Sequence, residues 1–163
     1  ANEYTAQVYW LDWSVPSIGI RPNVVYGVGR DQGMTSEFSV GLAHAAIGEP
    51  FRVSYGGPLS WLYAGEAASA FIAVMCKDGH DARVFDLNGT CMTVEKGIEI
   101  LSELIPEHQV STTGSPLPVP ADLSDDPIRE HLGAYPSISP SDGIRWTFEA
   151  FQRLQSDGRL TFR

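Results

Sequence analysis

The stretch from Ser17 to Ser36, SIGIRPNVVYGVGRDQGMTS, restricts what this chain can fold into more than any other. Ser17-Ile18-Gly19-Ile20 is a short apolar, β-branched run, the pattern of a strand buried in a parallel sheet. Pro22 supplies no N–H to a sheet ladder, so Arg21-Pro22 should break the run. A glycine-punctuated loop follows from Gly27 to Gly33, and Ser36 stands where the next helix needs an N-cap. In open α/β sheets, ligands collect just past the carboxyl ends of strands. An ordinary strand-to-helix connection has the same order of parts, so the pattern alone leaves both readings open.

Helical and strand patterns alternate along the whole chain. Tyr4, Val8 and Leu11 share one helix face within Ala1 to Trp13, and Ser14-Val15-Pro16 ends that helix. No capping residue precedes it, so the chain opens inside a helix and an upstream segment is expected. Glu37 to Ile47 reads as a second helix with Phe38, Leu42 and Ala45 inward, stopped by Gly48 and Pro50. Phe51 to Tyr55 reads as a short strand, Gly56-Gly57-Pro58 as a turn, and Trp61 to Tyr63 as a brief apolar run. Glu66 to Lys77 is apolar nearly all round, which predicts a buried helix ended by Gly79. Arg83 to Leu87 reads as a strand closed by Asn88-Gly89. Thr93 should cap an amphipathic helix with Val94, Ile98, Leu101 and Ile105 inward. Gln109 to Thr113 reads as a short strand, and Ser115 to Asp126 as an exposed Pro- and Ser-rich loop. Asp126-Pro127 predicts an N-cap followed by Pro at N1, for a short helix ending at Gly133. Ser141 should open the last helix, with Ile144, Phe148, Phe151 and Leu154 inward until Gly158. This alternation is the signature of an α/β fold.

Charge and cysteine content narrow the function classes. The net charge is −9 over 163 residues, which disfavours nucleic acid and anionic membrane surfaces as partners. No segment approaches the roughly 18 apolar residues of a membrane span, and Ala1 to Trp13 lacks the basic start of a signal peptide. Cys76 and Cys91 are unclustered, which predicts buried thiols in a reducing, cytoplasmic setting and no zinc site. His44, His80, His108 and His131 are scattered, and no nucleophile elbow accompanies them. Gly27-Val28-Gly29-Arg30 lacks the third glycine of a dinucleotide fingerprint. Tyr4, Tyr9 and Tyr26 have no Lys partner one helical turn away.

Three motifs line up, in order, with one family. Arg21-Pro22-Asn23-Val24-Val25-Tyr26-Gly27-Val28-Gly29-Arg30 resembles an arginine followed by V-Y-G-P-G-R. Trp61-Leu62-Tyr63-Ala64-Gly65-Glu66-Ala67-Ala68 resembles F-V-Y-V-D-D-V-A, and Val84 to Gly89 followed by Thr93-Val94 resembles V-F-N-V-G-G and its helix. Together they resemble the carboxyl-terminal half of an extended short-chain dehydrogenase/reductase, the NAD-dependent epimerase/dehydratase family.

That resemblance implies the last strands of a Rossmann-like parallel sheet interleaved, over residues 1–163, with a small mixed α/β substrate-binding subdomain. It implies that the Gly-rich nucleotide-binding half and the catalytic Tyr–Lys pair lie outside these residues, with Glu3 matching a Glu one turn beyond the Lys. No catalytic residue and no metal ligand is then expected in this chain, and NAD or NADP is expected only in the complete protein. Pro22, Asn23 and Val25 are the implied cofactor contacts. Val24, Arg30, Met34, Thr35, Trp61 and Tyr63 are the implied substrate contacts. Two positions depart from the nucleotide-sugar members: an Asn aligns with Val24, and a diphosphate-gripping Arg aligns with Leu59. A dianionic diphosphate needs charged or amide donors, so the expected substrate is smaller: a sugar, sugar acid or related hydroxy or carbonyl compound. The expected partners are the nucleotide-binding half and, through the first helix, a second copy of the chain. The alternative is a non-catalytic binding or regulatory module on the same scaffold.

Overall fold

The computed structural model describes residues 2–161 apart from 78, 80 and 134, so His80 lies outside the described residues. In chain order the elements are α1 (Asn2–Trp13), β1 (Ser17–Pro22), β2 (Val25–Tyr26), α2 (Glu37–Ala46), β3 (Phe51–Val53), β4 (Pro58–Tyr63) and α3 (Ala64–Met75). There follow β5 (Ala82–Leu87), β6 (Thr90–Thr93), α4 (Val94–Leu104), β7 (Val110–Thr112), α5 (Asp126–Leu132) and α6 (Pro140–Ser156). The fold is mixed α/β, as the alternating pattern predicts.

β1 runs parallel to β5, with Ser17 opposite Ala82 and Pro22 opposite Leu87. β2 runs parallel to β4, β4 antiparallel to β6, and β3 parallel to β7. Among the described residues β1 pairs on one side only. The register sets the faces of the β1–β5 pair. Ile18, Ile20, Phe85 and Leu87 share the side that packs under α3 and α5. Gly19, Arg21, Val84 and Asp86 share the other side, where Arg21 pairs with Glu3 of α1 at 2.6 Å. That second side offers α1 little apolar surface, and no residue of α1 is buried. Tyr4, Val8 and Leu11, the face read from the sequence, are exposed together with Tyr9 and Trp13.

β4 divides the interior into two cores. Leu59 and Trp61 point into a larger core with Phe38, Leu42, Tyr55, Val94, Leu101 and Ile144. Leu62 points the other way, into a smaller core with Leu87 and Ile128. Successive strand residues face opposite sides, so this six-residue strand faces both cores. Its sequence explains the expected run at Trp61 to Tyr63: Pro58 and Ser60 hide the strand's true start. Ser60 is buried, and its hydroxyl accepts from Gly89 N at 3.0 Å.

Several expectations need correcting. Glu66 to Lys77 is not buried all round: α3 buries Glu66, Ala67 and Ala70, while Phe71, Ile72 and Met75 are exposed. The helix has β1, β2, β4 and α5 on one side only. Cys76, at the C-cap of α3, and Cys91, on the outer face of β6, are exposed and free. Ser36 does not cap α2 with its side chain. Its backbone is already helical, and its hydroxyl donates to Gly33 O at 2.9 Å. The N-cap of α5 is Asp125, which puts Pro127 one place further in than expected. The N-cap of α6 is Ser139, whose hydroxyl accepts from Asp142 N at 3.1 Å. Thr93 does cap α4, accepting from Lys96 N at 3.2 Å.

Candidate functional site

β1 and β2 deliver the central stretch to one corner of the molecule. β2 pairs Val25 with Leu62 and Tyr26 with Tyr63, and Leu62 N donates to Val24 O at 3.2 Å. The segment around Val24 and the end of β4 are therefore neighbours. Tyr26 is buried between the rings of Trp61 and Tyr63, with centroids 5.3 and 5.9 Å away. Burial pushes its phenol well above the ordinary range, and nearby Glu66 adds to the shift. Tyr26 is thus held neutral.

The glycine loop then folds over the start of α2. Gly27 N donates to Ser39 Oγ at 3.0 Å, and Arg30 N to Gly27 O at 3.1 Å. The Arg30 guanidinium donates to Gln32 O at 2.5 Å and to Thr35 Oγ1 at 3.1 Å. It lies flat against Gly33, whose positive φ of 96° favours glycine. Thr35 O accepts from the Tyr55 hydroxyl at 3.0 Å, which itself accepts from Phe38 N at 3.3 Å. Burial pushes the Tyr55 phenol up to about 12. The loop is thereby tied to α2 and to the end of β3.

At the carboxyl ends of β1 and β5 two amides form a clasp. Asn23 Nδ2 donates to Asn88 Oδ1 at 2.7 Å and to Pro120 O at 2.9 Å. Asn88 Nδ2 donates to Gly89 O at 3.1 Å and to Ala121 O at 3.4 Å. The Pro-rich loop is held across the strand ends by these bonds. Asn88, read from sequence only as a strand terminator, is buried and structural here. The Asn88-Gly89 pair was the only signal, and it cannot tell a turn from a clasp.

A third polar cluster joins α3, α5 and the segment before α6. Glu66 is buried, accepts from Ile138 N at 3.1 Å and faces Arg129 at 3.5 Å. Arg129 also pairs with Asp125 at 2.7 Å and lies 4.5 Å over the Tyr135 ring. Desolvation raises the Glu66 carboxyl, only partly offset by the Ile138 N–H and Arg129.

The implied contacts fall into distinct settings. Pro22 is exposed, Asn23 and Val25 are half-buried, and Val24 is buried. Arg30 and Thr35 are bonded to each other, while Met34 between them is exposed. Tyr63 is half-buried. Trp61 is 1 % exposed, and its indole N–H donates to Met92 O at 2.8 Å, so its ring is core. Leu59, at the position of the family's arginine, is also core. A cavity of about 460 Å³ lies between the 28–32 loop, α2 and the end of α6, and Arg30 is the one implied contact on its wall.

Among the described residues one Ser–His pair lies close together, and it is not set up for proton transfer. Ser102 Oγ and His108 Nε2 are 2.8 Å apart, but His108 Nδ1 accepts from Val110 N at 3.0 Å. Ser102 donates to Ile98 O, so Nε2 carries the proton and cannot take one from the serine. No cluster of His, Cys, Asp or Glu among the described residues could hold a metal ion. None of the described helices is long and apolar enough to cross a membrane.

No family model and no curated protein matches the chain. Its fold recurs in solved structures. The UDP-glucose 4-epimerase of Thermotoga maritima, solved with UDP-glucose, superposes with a TM-score of 0.76 at 18% identity, over 94% of this chain and 51% of that one. The UDP-glucose 4-epimerase of Thermus thermophilus, solved with NAD, gives 0.75 at 20% identity, over 92% and 51%. The dTDP-glucose 4,6-dehydratase of Bacillus anthracis, solved with NAD, gives 0.76 at 17% identity, over 94% and 50%. The chain spans about half the length of these proteins. These superpositions, each over about half of the solved chain, give this chain the fold of the carboxyl-terminal half of the NAD-dependent epimerase/dehydratase proteins.

Proposed function

We propose that this chain is the substrate-binding half of an NAD(P)-dependent epimerase, dehydratase or oxidoreductase acting on a sugar, sugar acid or related hydroxy or carbonyl compound. It works with a nucleotide-binding half that contributes the Gly-rich turn and the Tyr–Lys acid–base pair. The observation that carries this reading is the unfinished side of the β1–β5 layer. Among the described residues β1 has an unpaired edge, and α3 beside it exposes Phe71, Ile72 and Met75. An unpaired parallel edge flanked by an apolar helix face is completed by another strand and its helix. The fold shared with NAD-bound epimerases and dehydratases supports the same partner.

In this arrangement Pro22, Asn23 and Val25 border the nicotinamide end of the cofactor. Arg30, Met34, Thr35 and Tyr63 border the substrate, and Val24 and Trp61 back that wall. The buried Leu59 and Val24 offer a diphosphate no donor, which favours a substrate smaller than a nucleotide sugar. α1, with Tyr4, Val8, Leu11 and Trp13 exposed, is the surface for a second copy.

The test is to express the chain joined to the segment encoded upstream in its reading frame. NADH fluorescence is then followed against panels of free sugars, sugar acids and nucleotide sugars. The expected result is cofactor binding and turnover by the joined protein and none by the 163 residues alone. Turnover by the isolated chain overturns the reading, and a joined protein that binds no nicotinamide cofactor overturns it in favour of a non-catalytic module.

A further inference from the structure

The cavity between α2, α6 and the 28–32 loop has a division of labour that the fold alone does not require. Its walls are apolar: Val28, Val40, Ala43, Phe151, Leu154 and Leu160. Its polar rim carries Arg30, Arg159 and Asp31, beside Gln32 and Ser39. Among the described residues neither Arg30 nor Arg159 makes an ion pair, in a chain that carries −9. Of the other described arginines, Arg21, Arg83, Arg129 and Arg145 pair with carboxylates, while Arg52 and Arg153 do not.

Arg30 is also preorganised. Gln32 O and Thr35 Oγ1 hold its guanidinium in place, so little rotamer freedom is lost when an anion arrives. Two guanidiniums against the single Asp31 carboxylate leave a net positive rim, suited to one negative charge. At about 460 Å³ the space falls in the range that takes drug-sized ligands.

We propose that this cavity binds a small amphipathic monoanion, a carboxylate carried on an apolar body. The carboxylate sits at Arg30 and Arg159, and the body lies against Val40, Ala43, Phe151 and Leu154. Arg30 is shared with the substrate wall of the proposed function, but none of Pro22, Asn23, Val25 or Tyr63 lines this cavity, so the Arg159→Glu loss and the Val40 and Leu154 shifts test it apart from that reading.

Isothermal titration of the 163-residue chain with octanoate, octanol and octylammonium tests it. Octanoate should bind saturably, with octanol roughly fivefold or more weaker and octylammonium not binding. Arg159→Glu, at an exposed position, and Arg30→Gln should each weaken octanoate about fivefold while leaving octanol nearly unchanged. Methyl resonances of Val40 and Leu154 should shift on octanoate addition. Absence of saturable binding, equal affinity for octanoate and octanol, or shifts confined to other methyls overturns the proposal. Should Arg30→Gln fail to fold, Arg159→Glu alone decides: unchanged octanoate affinity in that variant is a refutation.

Discussion

Gly97, in the first turns of α4, lies directly beneath the six-membered ring of Trp61. A Cβ added there would stand 2.7 Å from Trp61 Cζ2. Glycine in a helix interior normally costs about 1 kcal/mol against alanine. Here the sign reverses, because the indole is buried and anchored through Met92 O and cannot step aside. Gly97→Ala is expected to destabilise the chain by about 1–3 kcal/mol, the usual cost of overpacking. Chemical denaturation followed by tryptophan fluorescence measures it, and a stabilised variant would contradict the packing described.

The buried Glu66 sets a pH dependence. Its folded-state pKa lies above the ordinary carboxylate range, with desolvation as the largest cause. The folded state therefore binds the proton more tightly than the unfolded chain. Stability from this group is greatest below the unfolded pKa and falls as pH rises through the raised folded value. Glu66→Gln keeps an acceptor for Ile138 N and should lose this slope. Glu66→Ala leaves that part-buried N–H without its carboxylate and should cost about 1–3 kcal/mol. Urea midpoints of the three proteins between mildly acid and neutral pH test both statements.

His108 slopes the other way. Burial depresses its pKa, and its Nδ1 must stay unprotonated to accept from Val110 N. Its contribution is present above the unfolded imidazole pKa and is lost as pH falls through the depressed folded value. Amide exchange at Val110 should accelerate over that acid window in the wild type. In His108→Asn, exchange at the same amide should not respond to pH through this group. A wild-type amide that stays protected throughout the window would rule out the bond from Val110 N to His108 Nδ1.

The exposed face of α3 should matter to association and little to the fold. Ile72 and Met75 are among its most exposed side chains, and surface changes away from special features usually alter stability within about 0.5 kcal/mol. Ile72→Lys with Met75→Lys is expected to leave the melting of the isolated chain nearly unchanged. The same pair should sharply weaken capture of a separately expressed nucleotide-binding half. Capture at wild-type strength would place the partner elsewhere.

Much of the fold is legible in local pattern, and the losses have physical causes. The second helix and the amphipathic α4 and α6 follow from periodicity, because each has one apolar stripe and one core to meet. β4 was truncated because Pro58 and Ser60 do not look like strand residues, yet its pairing with β2 and β6 holds them there. β6 went unseen because Thr90 and Cys91 carry no buried pattern. α1 is given an apolar stripe and α3 burial all round by hydrophobicity alone, which records what a helix could bury and not what lies beside it. At the site, the neighbourhood of Val24, Tyr26 and Tyr63 was foreseeable from motif order. The Asn23–Asn88 clasp and the Arg30–Thr35 bond join side chains by geometry that no local pattern encodes.

The β1–β5 pair also has a consequence in time. Ser17 meets Ala82 only after β2, α2, β3, β4 and α3 have all intervened in the chain. Bringing such distant segments together costs loop-closure entropy before any contact repays it. The β2–β4–α3 unit between them is expected to assemble first and to bring the two ends towards each other. The same pair, held by one ladder, should be the first to part. The strand whose outer edge stays open among the described residues is thus also expected to be the last to arrive.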